Sequence, residues 1–123
     1  MDLTTEAIRL GMNMARLRAE VASSNIAGVD VAGHRTQRAD FGTAIGLLRE
    51  AATTRDIDAG SLAAQTPSVL RAAVRSSDFD RGTSASLDGQ VAELETAGTD
   101  FQSLATIMSR RFALMQLALV GRN

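Results

Sequence analysis

The sequence predicts an all-α fold in which long N- and C-terminal helices pair as a coiled-coil hairpin, with a weakly structured middle segment carrying short helices. Apolar residues recur at alternating spacings of three and four at both ends of the chain, which is typical of helices that pack side by side. Only 3% of the residues are aromatic. A core built from Leu, Ala, Met, Val and Ile suits helix packing better than a sheet.

The C-terminal repeat predicts a helix that begins near Leu87, capped by Ser86 or Asp88. This helix would be about 50 Å long at 1.5 Å per residue, which is more than a small core can cover. Gly98 and Ala105 are small, and we expect the closest approach to another helix there. The repeat comprises Leu87, Val91, Leu94, Gly98, Phe101, Ala105, Met108, Phe112, Met115 and Leu119.

The N-terminal repeat predicts a partner helix that Thr4 or Thr5 caps and that ends near Ala27 or Gly28, where glycine suits a left-handed conformation. A second apolar row lies roughly 150° away on this helix. We expect the first row to pack on the C-terminal helix and the second to contact a neighbouring molecule; an alanine-rich surface helix is the alternative. The first row is Leu3, Ala7, Leu10, Met14, Leu17, Val21 and Ser24, and the second is Ile8, Met12, Ala15, Ala19, Ala22 and Ile26.

The chain divides into a terminal-helix assembly domain, residues 1–27 and 85–123, and a partly flexible connector and middle segment, residues 28–84. The middle segment has few large apolar side chains, so we expect it to be mobile or ordered only in an assembly.

Short helices are predicted inside the middle segment. One covers residues 43–52, and a second begins at Thr66-Pro67, with Thr as the cap and Pro in the first helical position, and runs through Val74. Residues 53–65 and 76–86 are predicted to be loops, the first with a helical turn.

The residues offer little for catalysis, so the sequence predicts no enzyme, no metal site and no cofactor. There is no cysteine, and His34 is the only histidine. The Asp56/Asp58 and Asp78/Asp80 pairs lack the further ligands of a calcium loop and are interpreted as solvated loop acids.

Charge and hydropathy argue against two further classes of protein, nucleic-acid binders and membrane-spanning proteins. A net charge of −1 disfavours nucleic-acid binding by bulk electrostatics. No apolar stretch approaches the roughly 18 residues that a membrane span needs. Asp2 and Glu6 stand where a secretory signal would carry basic residues, so we expect no cleaved signal peptide of that type.

The connector carries a more specific pattern. It reads Ser24-Asn25-Ile26-Ala27-Gly28-Val29-Asp30-Val31-Ala32-Gly33-His34-Arg35 and continues to Asp40-Phe41. This run resembles the N-terminal signature of the flagellar basal-body rod protein family (bacterial flagellar axial proteins), most of all its proximal rod protein B members. Gly28, Ala32 and His34 stand where that family has Asn, Pro and an aromatic residue. The helix from Leu87-Asp88 through Leu119 resembles the family's C-terminal segment.

The resemblance implies a structural subunit of the proximal rod, the hollow tube that joins the inner-membrane ring to the hook. Its implied location is the flagellar basal body, in the periplasmic rod, reached through the flagellar type III export apparatus. The implied partners are other copies of the chain, other rod and basal-body proteins and that apparatus, with no nucleic acid and no direct membrane span. With the two repeats, it predicts an assembly interface of Leu10, Met14, Leu17, Val21, Asn25, Ile26, Gly33, Phe41, Leu94, Phe101, Met108, Phe112, Met115 and Leu119.

A soluble helical adaptor or export chaperone of the flagellar or type III system is the alternative function, because a binding module can use the same apolar repeats. It predicts a stable, well-folded hairpin or dimer. A rod subunit is instead expected to be partly disordered as a free monomer.

Overall fold

The computed structural model describes residues 2–31, 33, 35–53, 57–77 and 87–121. This part of the chain is mostly helical, and its long N-terminal helix packs on its long C-terminal helix, as predicted. A two-stranded antiparallel ribbon departs from the predicted all-α fold. In chain order the elements are α1 Leu3–Ala27, β1 Thr36–Ala39, α2 Gly42–Thr53, α3 Ala59–Ala63, α4 Pro67–Ala72, β2 Val74–Ser77 and α5 Leu87–Val120.

The ends of α1 follow from hydrogen bonds of its flanking residues. The Asp2 carboxylate accepts a hydrogen bond from the Thr5 backbone N–H at 2.8 Å, so Asp2 is the cap, and the prediction of Thr4 or Thr5 is wrong. The helix ends at Ala27 as predicted, and the Gly28 N–H donates to the Ser24 carbonyl. Gly28 has φ −97°, so the predicted left-handed glycine is wrong.

Helices α1 and α5 run antiparallel. The Arg111 guanidinium donates to the Thr5 hydroxyl near the start of α1, and Asn25 near its end donates to the Gln90 side chain. Helix α5 has 34 residues and α1 has 25. Arg111 of α5 bonds Asp2 and Thr5, so it lies beside the start of α1. Residues 112–120 therefore extend beyond the start of α1 by about 13 Å, at 1.5 Å per residue.

The first apolar row of α1 packs against the middle segment rather than against α5, which corrects the predicted pairing. Leu10, Leu17 and Val21 form one buried cluster with residues of the middle segment, and Leu3, Ala7 and Met14 pack on its edge. No residue of α5 belongs to this cluster among those that the structure describes. The middle segment contributes Phe41, Ala44, Ala51, Leu62 and Leu70.

The prediction for the second apolar row of α1 is also wrong in part, because the face of α1 opposite the middle segment packs on α5. Gly11, Arg18 and Asn25 contact α5, and Ile8, Ala15 and Ala22, three residues before each, share that face and are buried. Half of the second row thus has its partner within the chain. The prediction failed because it assigned α5 to the first row and overlooked the middle segment.

A close approach between α1 and α5 lies at Gly11 rather than at Gly98. A Cβ added at Gly98 would meet no atom of the described chain within 4 Å, so the expectation for this residue is wrong. A Cβ at Gly11 would lie 3.0 Å from Leu104 Cδ1, and Ala97 is fully buried. A small residue does mark a close approach, and it is Gly11.

The short helices of the middle segment largely follow the prediction. Helix α2 covers the predicted residues 43–52, and the Thr66 hydroxyl caps α4 with Pro67 in its first turn. Helix α4 ends at Ala72, however, and Val74 lies in β2, paired with Ala39 of β1. A β-branched residue such as Val74 fits a strand better than a helix end. The predicted cap Ser86 and most of the loop 76–86 lie outside the described residues.

Candidate assembly interface

The largest group of predicted interface residues lies in the core of the chain itself. Leu10, Leu17, Val21 and Phe41 are buried, and Met14 is half-buried against them. Phe41 precedes α2, and its carbonyl accepts a hydrogen bond from the Ile45 N–H at 2.8 Å, which starts the helix. In this arrangement these side chains join α1 to the middle segment.

Asn25 is a polar clamp at the end of α1. Its side chain is 6% exposed, accepts a hydrogen bond from the Gln37 N–H at 2.8 Å and donates to the Gln37 carbonyl at 3.0 Å. It also donates to the Gln90 side chain at 3.1 Å. One amide therefore holds β1 and α5 against α1, and its buried polar atoms are satisfied.

The remaining connector positions are more open. Ile26 is half-buried on α1, and Gly33 is exposed. Gly33 has φ +79°, a conformation that glycine adopts without the steric cost that other residues have. The turn into β1 therefore depends on this residue.

The predicted residues of α5 change from half-buried to exposed along the helix. Leu94, Phe101 and Met108 are half-buried in the part that pairs with α1. Beyond Arg111, the large apolar side chains are exposed by 46% to 70%. We call residues 112–120 the apolar end; its large apolar side chains are Phe112, Leu114, Met115, Leu117, Leu119 and Val120.

An arginine network that the sequence analysis missed joins the middle of α1 to α5. Arg18 Nε donates to Glu93 at 2.7 Å, and Arg18 Nη1 donates to Asp100 at 2.9 Å. The hydrogen bond to Glu93 is the main cause that raises the pKa of Arg18 above its ordinary value. Glu93 and Asp100 are seven residues apart on one helix, which was the available signal.

A second arginine joins α5 to the start of α1. Arg111 donates to the Thr5 hydroxyl at 3.0 Å and also to the Asp2 carboxylate. The pKa of Asp2 is lowered to about 2, first by the hydrogen bond from the Thr5 backbone, then by those from the Thr5 and Arg111 side chains. Arg111 thus joins α5 to the first turn of α1.

A cavity of about 340 Å³ opens at the other end of the helix pair, between α1, β1, α2 and the start of α5. Its apolar wall consists of Val21, Ala22, Ala39, Phe41 and Ile45. Its polar wall includes the side chains of Arg18 and Asn25, whose hydrogen bonds are described above. This cavity could not be predicted from the sequence, because its lining comes from four elements.

Most of the candidate catalytic and metal-binding residues lie outside the described part of the chain. His34, Asp56, Asp78 and Asp80 lie outside the described residues, and Asp58 caps α3 by accepting from the Gly60 N–H. Within the described ranges, no three His, Cys, Asp or Glu residues cluster as metal ligands would. No described helix is both long enough and apolar enough to cross a membrane.

The chain matches no protein-family model, and no curated protein or solved structure is significantly similar to it.

Proposed function

We propose that this chain is a structural subunit of the bacterial flagellar basal-body rod, most like a proximal rod protein, and assembles through its terminal helices. The observation that carries the proposal is the apolar end of α5. Its large apolar side chains are at least 46% exposed and extend past the helix that covers the rest of α5. Apolar surface of this kind is characteristic of an interaction site.

The pairing of the chain's two ends supports the same role. Helices α1 and α5 are joined at Asn25, Arg18 and Thr5. We propose that this pair acts as a coiled-coil hairpin within the rod wall. The residues around Asn25 resemble the signature of the rod protein family, and the clamp that Asn25 makes gives this residue a physical role.

Immunogold labelling of purified basal bodies tests the proposed location. Gold should lie on the rod, between the inner-membrane ring and the hook. The chain secreted by the flagellar pathway should have the same intact mass as the chain before export, because the proposed route removes no signal peptide. An export-deficient strain is the control. Retention of the chain in the cytoplasm of an export-competent strain would contradict the proposal.

A soluble adaptor or export chaperone remains a second candidate because the middle segment packs closely on α1. Leu62 and Leu70 are buried in this contact, and Arg9 donates to the Leu62 carbonyl at 3.0 Å. Such a core favours a stable free chain, which the adaptor hypothesis predicts. A secretion assay separates the two: export of the chain through the flagellar pathway favours the rod subunit, and its retention in the cytoplasm favours the adaptor.

A further inference from the structure

The two edges of the ribbon differ in their hydrogen bonding. On the outer side of β1, the Gln37 N–H donates to the Asn25 side chain at 2.8 Å, and the Gln37 carbonyl accepts from it at 3.0 Å. Gln37 lies opposite Ser76 in the antiparallel pair. Residues opposite each other in such a pair either bond one another or both point outward, and the two kinds alternate along the strands. The N–H and C=O groups of Ser76 therefore point away from β1, as do those of Val74 two residues earlier.

These outward-pointing main-chain groups of Val74 and Ser76, which we call the open edge, have no partner in the part of the chain that the structure describes. The ribbon has only two strands there, so β2 lies at its margin, and Ser76 is exposed. An unpaired strand edge is a template for a further strand. Addition of an extended peptide to such an edge is a common mode of recognition.

The solvent face of the ribbon carries two like charges side by side. Arg38 lies directly opposite Arg75, and both side chains are exposed. Neither guanidinium forms an ion pair with another described residue. Asp40, two residues after Arg38, accepts a hydrogen bond from the Gly42 N–H instead. Like charges directly opposite each other are destabilising, so an anion beside this pair would be favourable.

The same arginines limit which strand can pair with the open edge. A second copy that pairs antiparallel through both Val74 and Ser76 would place its own Arg75 directly opposite Arg75 of the first copy. That register brings like charges together, and charged side chains are a device by which proteins protect strand edges from such pairing. A strand with a carboxylate in the same place would meet unpaired cations. Charge complementarity therefore favours an acidic partner over a second copy.

We propose that the open edge of β2 binds an extended acidic segment of another protein as a third strand. An Asp or Glu of that segment lies opposite Arg75, and Arg38 adds a second positive charge about 10 Å away, two strand spacings across the ribbon. The residues before and after the acid pair their main chains with Val74 and Ser76.

The side chains that flank this acid lie on the other face of the ribbon, because side chains alternate along a strand. Val74 is half-buried on that face and packs against the core. Apolar side chains beside it would extend the same contact, so the partner carries an apolar–acidic–apolar motif. The inference does not depend on the rod role, because the open edge and the arginines are properties of the folded chain wherever it is located.

Solvent exchange of main-chain amides, followed by NMR on the full chain, tests where the partner binds. The probe is the capped peptide acetyl-Thr-Val-Glu-Val-Thr-amide. An excess of peptide should slow exchange of the Val74 and Ser76 amides at least fivefold. The Arg75 amide should change little, because it faces β1 in the existing pair. The same peptide with both valines N-methylated lacks the main-chain donors and should not bind.

Chemical-shift titration with matched peptides tests the role of charge. Replacing the peptide's Glu with Lys should raise the Kd about tenfold. The double variant Arg38→Glu/Arg75→Glu should reverse this preference, and it keeps like charges opposite each other, so its fold should be no less stable. The matched control is Arg49→Glu/Arg110→Glu, which changes the net charge equally at two exposed positions outside the ribbon and should keep the preference for Glu.

Several results would overturn the proposal. These are no binding at millimolar peptide, equal Kd values for the Glu and Lys peptides, or the same effect of both double variants. Slow exchange of the Val74 and Ser76 amides in the free chain would show that the edge is already paired, with a second copy if protection increases with protein concentration and within the chain if it does not. None of these outcomes bears on the rod role, which the labelling of basal bodies tests separately.

Discussion

At the scale of single residues, Asn25 contributes more than its position at a helix end suggests. Replacing it with Ala removes three hydrogen bonds and leaves the Gln37 N–H without its partner. We expect Asn25→Ala to lower the free energy of unfolding by about 2 kcal/mol, because unsatisfied buried groups cost about 1–3 kcal/mol. Urea denaturation measures this.

Gln37→Ala is the matched control, because Asn25 bonds only the backbone of Gln37 at this position. This variant should change stability by less than about 0.5 kcal/mol, as is usual for surface substitutions. Equal losses in the two variants would argue against the clamp.

The charge of Asp2 gives the chain a pH dependence in acid. Its pKa is about 2 in the folded chain against an ordinary value of 3.8. A lowered pKa stabilises the folded state above pH 3.8, and this contribution is lost as the pH falls towards 2. Asp2→Asn keeps a good helix cap but loses the charge beside Arg111. Wild type should be the more stable at pH 6, and the difference should vanish between pH 4 and about pH 2.

Thermal denaturation of both chains across that pH range provides the measurement. Asp58→Asn is the comparison, since Asp58 also caps a helix, through the Gly60 N–H. A difference between wild type and Asp2→Asn that is constant with pH would mean that the Asp2 carboxylate is not the cause.

The side-chain contacts between α1 and α5 could not be predicted from the sequence, because the paired residues lie far apart along the chain. Arg18 and Glu93 are 75 residues apart, and Arg111 and Thr5 are 106 apart. Local spacing shows that Glu93 and Asp100 share a helix face, but it does not show which cation faces them. The resemblance drew attention to Asn25 without giving its partners.

At the scale of elements, two glycines on the facing helices should respond oppositely to substitution. A Cβ at Gly98 meets no described atom within 4 Å, so Gly98→Ala should stabilise the chain by up to about 1 kcal/mol through helix propensity. A Cβ at Gly11 lies 3.0 Å from Leu104 Cδ1. Gly11→Val should therefore cost about 1–3 kcal/mol by overpacking. Thermal unfolding of both variants tests this, and a stabilised Gly11→Val would contradict the close approach.

Periodicity predicted the helices well and their partners poorly. A three-and-four spacing is a local property, so the extents of α1 and α2 followed from it. The cap at Thr66 followed from the Thr66-Pro67 pair, which is also a local signal. The same spacing does not identify what covers a face, and the first row of α1 was assigned to the wrong partner. No pattern in the sequence predicted the two-stranded ribbon, because its strands Thr36–Ala39 and Val74–Ser77 are short and mostly polar. Contacts outside the strands hold it: Asn25 accepts from the Gln37 N–H, and the Ala73 carbonyl accepts from the Asp40 N–H.

At the scale of the whole molecule, the middle segment is an integral part of the core. Leu62 is fully buried beneath α1. Leu62→Ala should lower the free energy of unfolding by about 2–5 kcal/mol, as is typical of a buried leucine. Leu114→Ala makes the same chemical change at a side chain that is 66% exposed, and it should cost less than about 0.5 kcal/mol. Equal losses of unfolding free energy in the two variants would contradict the placement of Leu62 in the core and of Leu114 at the surface.

The expectation of a weakly ordered middle segment came from its few large apolar residues, and it stays a prediction. These few residues converge in space, because Phe41, Leu62 and Leu70 all meet one face of α1. Composition averages over a segment and does not reveal such convergence. The cavity was equally hidden, since its walls come from elements spread along the chain.

The two faces of α1 make different kinds of contact, and this difference favours one order of folding. On α1 the buried side chains Leu10, Leu17 and Val21 face the middle segment, whereas the face towards α5 has Ile8, two alanines, Gly11 and the Arg18 ion pairs. The large apolar side chains of α5 that pair with this face are only half-buried. Burial stabilises in proportion to apolar area, and partly exposed ion pairs add little. Contacts with α5 also close the longest loops in the chain, which is entropically costly. Helix α5 should therefore dock last and detach first, leaving α1 and the middle segment as the longer-lived unit in native-state hydrogen exchange.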